Sequence, residues 1–200
     1  MKHLIIDLET LGIEEKSVVL QVTAAVYDTE KAFEGDILDA LQIKNYKLKI
    51  APQIAVGRLV DQETVIWWKQ QHEEVQKASL IPNPAIDIEP DVMCDDFALW
   101  LKSVGYDKRR DFVWQRGDRD SSWLTSLFRS FGWITDSLPW SWGKVREIRT
   151  VVDVLGMSSK LNGYPDDSEK YRQAIPGYKH HDAESDVKFE VLVLHDAGIF

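Results

Sequence analysis

The sequence predicts an α/β fold, and three observations carry the prediction. The chain opens on an apolar run, Leu4-Ile5-Ile6, that is too short for a helix and is bounded by polar residues, which marks a buried strand. Two more strand-like segments follow within the first fifty residues on short polar links, the pattern of an antiparallel meander. Beyond them the apolar spacing becomes that of amphipathic helices, interrupted by two further short strand-like runs. A length of 200 residues with 44% hydrophobic content suits one globular domain over residues 1–200 with a sizeable core.

After the first strand, residues 12–16 form a turn, and the β-branched run over 18–27 forms the second strand, with Gln21 and Thr23 on its more polar side. Residues 28–39 are polar and turn-like. Clean alternation over 46–50 predicts a third, half-exposed strand. Asp61 starts a helix that runs through Trp67 and Trp68 to about residue 78, and Pro82, Pro84 and Pro90 mark a surface loop after it. Asp95 or Asp96 caps a helix that buries Phe97, Trp100 and Leu101 and ends at Gly105. Residues 112–114 form a fourth, short core strand, followed by a helix over 121–131 and an aromatic loop over 133–142. Residues 145–148 suit a fifth strand, and 150–155 a short helix ended by Gly156. The polar stretch 158–177 reads as a long mobile loop. The last helix spans 182–196, with Ala183, Val187, Val191 and Leu194 along one side.

Composition excludes several classes. Cys94 is the only cysteine, so the chain has no intrachain disulfide and no cysteine metal cluster, which favours a reducing compartment. The N-terminal apolar run is broken by Asp7 too early for a signal sequence, and no stretch has the length of a membrane span. The chain therefore reads as cytosolic, with no membrane partner. A net charge of -9 argues against coating duplex nucleic acid by bulk electrostatics. It leaves room for an enzyme acting on a strand end, where local basic clusters and bound cations supply positive charge. Such clusters occur at Lys108-Arg109-Arg110, at Lys144, Arg146 and Arg149, and at Lys179-His180-His181, each by default a solvated surface patch.

The chemistry begins with Asp7 and Glu9. Side chains alternate along a strand, so these two carboxylates share one face and repel each other. A divalent cation between them cancels the repulsion, because hard cations take oxygen ligands. The plain alternative is a strand end entering a solvated turn. Two further acids matter: Asp120, at a strand-to-helix turn, and Asp186, one turn into the final helix and five residues after His181. Taken singly, a histidine before a helix is a capping or surface residue, and an aspartate in a first turn is a favourable dipole partner.

Taken together, Ile5-Ile6-Asp7-Leu8-Glu9-Thr10, Asp120 and His181-Asp182-Ala183-Glu184-Ser185-Asp186 resemble the DEDD superfamily of 3'-5' exonucleases in its His-containing (DEDDh) branch. More narrowly, the chain is similar to the exonuclease A group of T-even phages and to RNase T-like bacterial exoribonucleases. Thr64-Val65-Ile66-Trp67-Trp68 and Arg146-Glu147-Ile148-Arg149-Thr150 add lesser support. The second motif departs from the family pattern: Arg119 precedes Asp120 where the family has Phe or Tyr, and Asp118 competes for the position. Trp123-Leu124 at the family spacing favours Asp120.

The resemblance implies a ribonuclease H-like fold, with a mixed five-stranded sheet of three antiparallel and then two parallel strands and helices on both faces. It implies an enzyme that removes nucleoside 5'-monophosphates from the 3' end of single-stranded nucleic acid, DNA being favoured by the phage likeness. An RNase T-like exoribonuclease, or a catalytically decayed nucleic-acid-binding module, stays open. The implied cofactors are two Mg²⁺ or Mn²⁺ ions roughly 3.5–4 Å apart, held by Asp7, Glu9, Asp120 and Asp186. His181 would be the general base toward the attacking water, its ordinary pKa of about 6.5 lying near operating pH.

The implied substrate contacts are Thr10 and Leu11, the latter wedged against the terminal base, with a turn and one core leucine as the plain alternative. Trp67 and Trp68 point about 100° apart on a helix, so one can stack on a base while the other is core, or both can be core. Arg149 is a candidate phosphate contact. The implied setting is the cytosol of a bacterium or phage-infected host. The sequence leaves a homodimer open.

Overall fold

A computed structural model describes residues 1–31 and 35–200, so part of the turn-like stretch over 28–39 lies outside the described residues. Five strands, β1 (Lys2–Thr10), β2 (Val19–Asp28), β3 (Gln42–Lys47), β4 (Phe112–Gln115) and β5 (Val145–Glu147), form one sheet in the order β3-β2-β1-β4-β5. The pairs β1–β2 and β2–β3 are antiparallel, and β1–β4 and β4–β5 are parallel. This is the expected ribonuclease H-like arrangement. The helices are α1 (Ile50–Ala55), α2 (Gln62–Trp68), α3 (Glu73–Val75), α4 (Pro90–Ser103), α5 (Asp120–Ser130), α6 (Ile148–Val154), α7 (Ser168–Ala174) and α8 (Ala183–Asp196). No helix among the described residues is long and apolar enough to cross a membrane.

Alternation along β1 sorts its side chains between two cores. Leu4, Ile6 and Leu8 pack with Phe97 and Leu101 of α4 and with Leu124 and Phe128 of α5. Ile5 faces the other way, into a core with Ile148 and Val152 of α6 and Val187 and Val191 of α8. Asp7 and Glu9 continue the face of Ile5 by the period of two, so they emerge beside α8 where the apolar packing ends. β1 also sits where the sheet changes from antiparallel to parallel neighbours. In open α/β sheets the crevice outside the carboxyl ends of strands at such a switch point receives ligands.

Several expected boundaries move. The third strand is Gln42–Lys47 rather than 46–50: its polar residues pair with Gln21 to Val26 along an outer edge, and Ile50 already begins α1. The helix from Asp61 does have Asp61 as N-cap, accepting from the amides of Glu63 and Thr64, but it stops at Trp68. His72 then caps the short α3, and a π-helical turn follows over Gln76–Leu80. α4 begins at Pro90, because proline fits the first turn of a helix, where its missing N–H is not needed. Asp96, a candidate cap, instead accepts from Lys44 and the Tyr46 hydroxyl of β3. The stretch 158–177 is not a free loop. It contains α7, whose Tyr171 is buried in the α8-side core together with Ile175 just beyond it.

Candidate active site

The C-terminal ends of β1 and β4 and the N-terminal ends of α5 and α8 meet at one cleft of about 290 Å³. Asp7, Glu9, Asp120 and Asp186 lie on it, with His180, His181 and the arginines Arg116 and Arg149. Carboxylate oxygens of Asp7, Glu9 and Asp186 lie within 4.8 Å of one another, and His180, His181 and Asp186 form a second group of the same compactness. Asp186 belongs to both. Asp120 is the first residue of α5, buried, and its Oδ1 accepts the Leu8 amide at 3.0 Å, which fixes α5 against the strand that carries Asp7 and Glu9. Both Asp118 and Asp120 border the cleft, but Asp118 points to solvent with its side chain 91% exposed, whereas Asp120 is buried and held by the Leu8 amide.

The electrostatics follow from crowding like charges in a desolvated place. Burial, then the charges of Asp120 and Glu9, push the Asp7 pKa well above the usual carboxylate range. Burial and then Asp186 and Asp120 do the same to Glu9. Asp120 is raised to about 7, chiefly by burial, although backbone amides oppose the shift. Three carboxyls that all resist ionisation form a site that divalent cations would satisfy, because a hard cation cancels the repulsion and takes oxygen donors. The donor set therefore fits the implied metals.

His181 stands directly before α8 in a left-handed backbone conformation, with φ of 63°. Its amide donates to Asp186 Oδ2 at 3.0 Å, and the Tyr178 hydroxyl donates to the other oxygen at 3.0 Å. Burial, then the neighbouring His180, lower the His181 pKa against the opposing charge of Asp186. The imidazole is neutral at neutral pH and free to accept a proton. Its ring stacks on His180, centroids 3.9 Å apart, and forms a T-shaped pair with Trp67.

The remaining candidates divide. Trp67 is 39% exposed and lines an adjoining cleft with Thr10 and Trp123. Trp68 is 1% exposed, with its indole N–H donating to the Thr10 carbonyl at 2.8 Å, and Leu11 is 3% exposed in the same small core with Val18 and Leu20. Trp68 and Leu11 are thus core residues here, the plain alternative that the sequence leaves open for both, and Trp67 is the one of the pair with an exposed ring. The Thr10 hydroxyl is turned back onto the Gly12 carbonyl at 2.7 Å. Arg149 is exposed on the cleft rim, lying against Gly117 and Gly163.

Three further residues of the cleft, Glu190, Arg116 and Tyr178, have little or no signal in the sequence. Glu190, one turn beyond Asp186, is buried and paired with Arg116, with Nη2 to Oε2 at 2.9 Å. The Arg116 guanidinium also covers the Tyr164 ring at 4.3 Å. Helical spacing from Asp186 was the signal available for Glu190. Arg116 and Tyr178 had none.

A ribonuclease H-like sheet carrying four acidic residues and a histidine at the end of its central strand defines a DEDDh-type 3'-5' exonuclease. The chain belongs to the 3'-5' exoribonuclease Rv2179c-like domain family, which it matches over residues 2–194. It is 25% identical over 210 residues to the exodeoxyribonuclease of Enterobacteria phage T4, covering 97% of this chain and 88% of that protein. Among solved structures, E. coli exonuclease I in complex with a dT13 oligonucleotide superposes with a TM-score of 0.59 at 17% identity, covering 99% of this chain. Cell-death related nuclease 4 (CRN-4) superposes with a TM-score of 0.59 at 14% identity, covering 98% of this chain. The chain spans 40% of the exonuclease I chain and 62% of the CRN-4 chain, and these two likenesses establish the fold.

Proposed function

We propose that the chain is a single exonuclease domain that hydrolyses single-stranded nucleic acid from its 3' end, releasing nucleoside 5'-monophosphates, with DNA the favoured substrate. The observation that carries this reading is the convergence of Asp7, Glu9 and Asp186 oxygens within 4.8 Å, beside His181. Asp7, Glu9, Asp120 and Asp186 would hold two Mg²⁺ or Mn²⁺ ions, whose chemistry when bound is to stabilise charge on the attacking and leaving oxygens.

The chain's own groups supply the rest. His181, neutral at neutral pH, accepts the proton of the water that attacks the terminal phosphodiester. The bond to the 3'-oxygen of the penultimate nucleotide breaks, and the terminal nucleotide leaves with the phosphate. The Leu8 amide holds Asp120 in register, and Trp67 and His180 both pack against the imidazole. The exposed part of Trp67 in the adjoining cleft is available to a base, and Arg149 on the carboxylate cleft offers a cation to a phosphate.

DNA is favoured by the phage T4 relative, named an exodeoxyribonuclease, and by the oligonucleotide held in exonuclease I. The exoribonuclease description of the family supports RNA as the second reading. Matched DNA and RNA strands labelled in the 3'-terminal nucleotide test both. Mg²⁺-dependent release of labelled mononucleotide, faster from DNA and abolished by EDTA and by Asp7→Asn, is the expected result. Faster release from RNA selects the second reading, and binding without cleavage of either strand sinks the enzyme.

A further inference from the structure

The surface beside the catalytic cleft continues along α5. This helix starts at Asp120 in the cleft and its 11 residues extend about 16 Å from it at about 1.5 Å per residue. Ser122, Thr125 and Arg129 are spaced i, i+3 and i+7, so they form one stripe running from the catalytic end to the far end. None of the three is buried, whereas Leu124, Leu127 and Phe128 on the inner side are.

At its far end this stripe enters a second cleft of about 360 Å³, distinct from the carboxylate site. Leu138 and Trp140 form the buried floor. Lys108 builds the back wall, donating to the carbonyls of Asp136 and Leu138 at 2.7 and 2.9 Å, and Arg129 donates to Thr135 Oγ1 at 2.9 Å. Trp142 stands on the rim, 84% exposed, more than any other large apolar side chain described. Lys144 and Arg146, two and four residues on, lie outside this cleft and cover the Phe112 ring on the other face of the sheet, at 5.2 and 4.7 Å.

The lining of this cleft is locally positive, with Lys108 and Arg129 against the single acid Asp136. The chain carries a net charge of -9, and many of its lysines and arginines are paired with acids. Lys108 and Arg129 form no ion pair among the described residues. Cations without counter-charges around a solvated indole are what successive phosphates and a base require, since any base presents a face for stacking.

We propose that this second cleft binds the 5'-ward part of the single strand whose 3' end lies at the carboxylates, with a base stacked on Trp142 and phosphates beside Lys108 and Arg129. The inference rests on the exonuclease reading and extends it. Continuity with the catalytic cleft along α5 and the local positive charge favour an oligonucleotide over a peptide.

The test compares short strands of about three nucleotides with long ones of about twelve, within the range that one stacking groove covers. In the wild type, KM falls on lengthening the strand. In Trp142→Ala that gain is reduced about tenfold, the loss of one base stack. In an Arg129→Gln variant, the slope of log binding constant against log salt for the long strand becomes shallower by about 0.7, the loss of one phosphate contact. A second arm measures binding of the same labelled strands by anisotropy in the Asp7→Asn background, with and without Trp142→Ala. Weaker binding of the long strand alone supports the second cleft even if no cleavage is seen, a result that would count only against the exonuclease reading. An unchanged length dependence in both arms overturns the inference and leaves the surface to another kind of ligand.

Discussion

The Trp67 indole and the ring of His181 form a T-shaped pair, with centroids 4.8 Å apart and planes at 84°, so α2 touches the segment that introduces α8. The contact matters because His181 is held in a left-handed backbone conformation, which is strained for a residue with a Cβ. Its backbone N–H, hydrogen-bonded to Asp186, holds the main chain, while Trp67 and His180 pack against the ring. His181→Ala is expected to lower kcat by roughly 10² to 10⁴ while leaving metal-induced stabilisation in place. Trp67→Ala, which frees the ring without removing it, should cost about tenfold in kcat, and Trp67→Phe should restore most of that loss. An unchanged kcat in His181→Ala would remove the imidazole from the reaction.

The acidic cluster makes a second prediction, in stability. Asp7, Glu9 and Asp120 all have raised pKa values, Asp120 to about 7. Between the ordinary carboxylate range and these values the folded protein binds more protons than the unfolded chain, so stability falls as pH rises through that window. EDTA-treated protein is therefore expected to show a lower Tm near pH 8 than near pH 5, and Mg²⁺ or Mn²⁺ to raise the Tm most at the higher pH. Asp7→Asn removes one repelling charge and should stabilise the EDTA-treated protein by on the order of 1–2 kcal/mol while abolishing turnover. A Tm that rises steadily with pH in EDTA would contradict this account of the cluster.

Which parts of this arrangement the sequence discloses follows from how local each determinant is. The alternation of Leu4 to Glu9 is a property of one strand, and it correctly predicts two carboxylates on one side of β1. The third strand was read late because its clearest alternation lies at its buried end, while the edge residues Gln42 to Asn45 look like loop. The proline-rich run hid the start of α4, since Pro90 opens that helix rather than ending a loop. The choice between Asp118 and Asp120 was not local: it is made by an amide 112 residues away, that of Leu8. The adjacent Trp67 and Trp68 differ in role because the Thr10 carbonyl accepts from one of them, a partner 58 residues distant. Likewise, nothing near Arg116 in the chain announces Glu190.

That ion pair gives a third prediction. Arg116 and Glu190 are paired in the interior wall of the cleft, and Arg116 also donates to the Gly163 carbonyl. Burial raises the Glu190 pKa, while Arg116 opposes the shift. Removing one member strands the other charge, so Arg116→Met should destabilise the fold by about 3–5 kcal/mol in urea denaturation. An Arg116→Met/Glu190→Leu double variant should recover most of that, because two apolar side chains of similar volume leave no charge unpaired. Equal destabilisation of the single and double variants would show that the guanidinium acts through its hydrogen bond to Gly163 and its packing on Tyr164 instead.

Gly163 and Gly117 both press on Arg149, and comparing them separates backbone strain from crowding. Both have positive φ, 74° and 80°, so alanine at either position carries the cost of a left-handed conformation, about 1–2 kcal/mol. They differ in space. A Cβ on Gly163 would overlap Cβ and Cγ of Arg149, whereas one on Gly117 would meet the guanidinium carbon at an ordinary 3.7 Å. Gly163→Ala must therefore move the stem of Arg149, and Gly117→Ala need not. If Arg149 holds a substrate phosphate, Gly163→Ala should raise KM by about the same factor as Arg149→Ala, on the order of tenfold for one charge-assisted contact, with kcat little changed. Gly117→Ala should lower Tm to a similar extent without that rise in KM. Matching KM values for the two alanine variants would assign Arg149 a packing role and take it out of the substrate path.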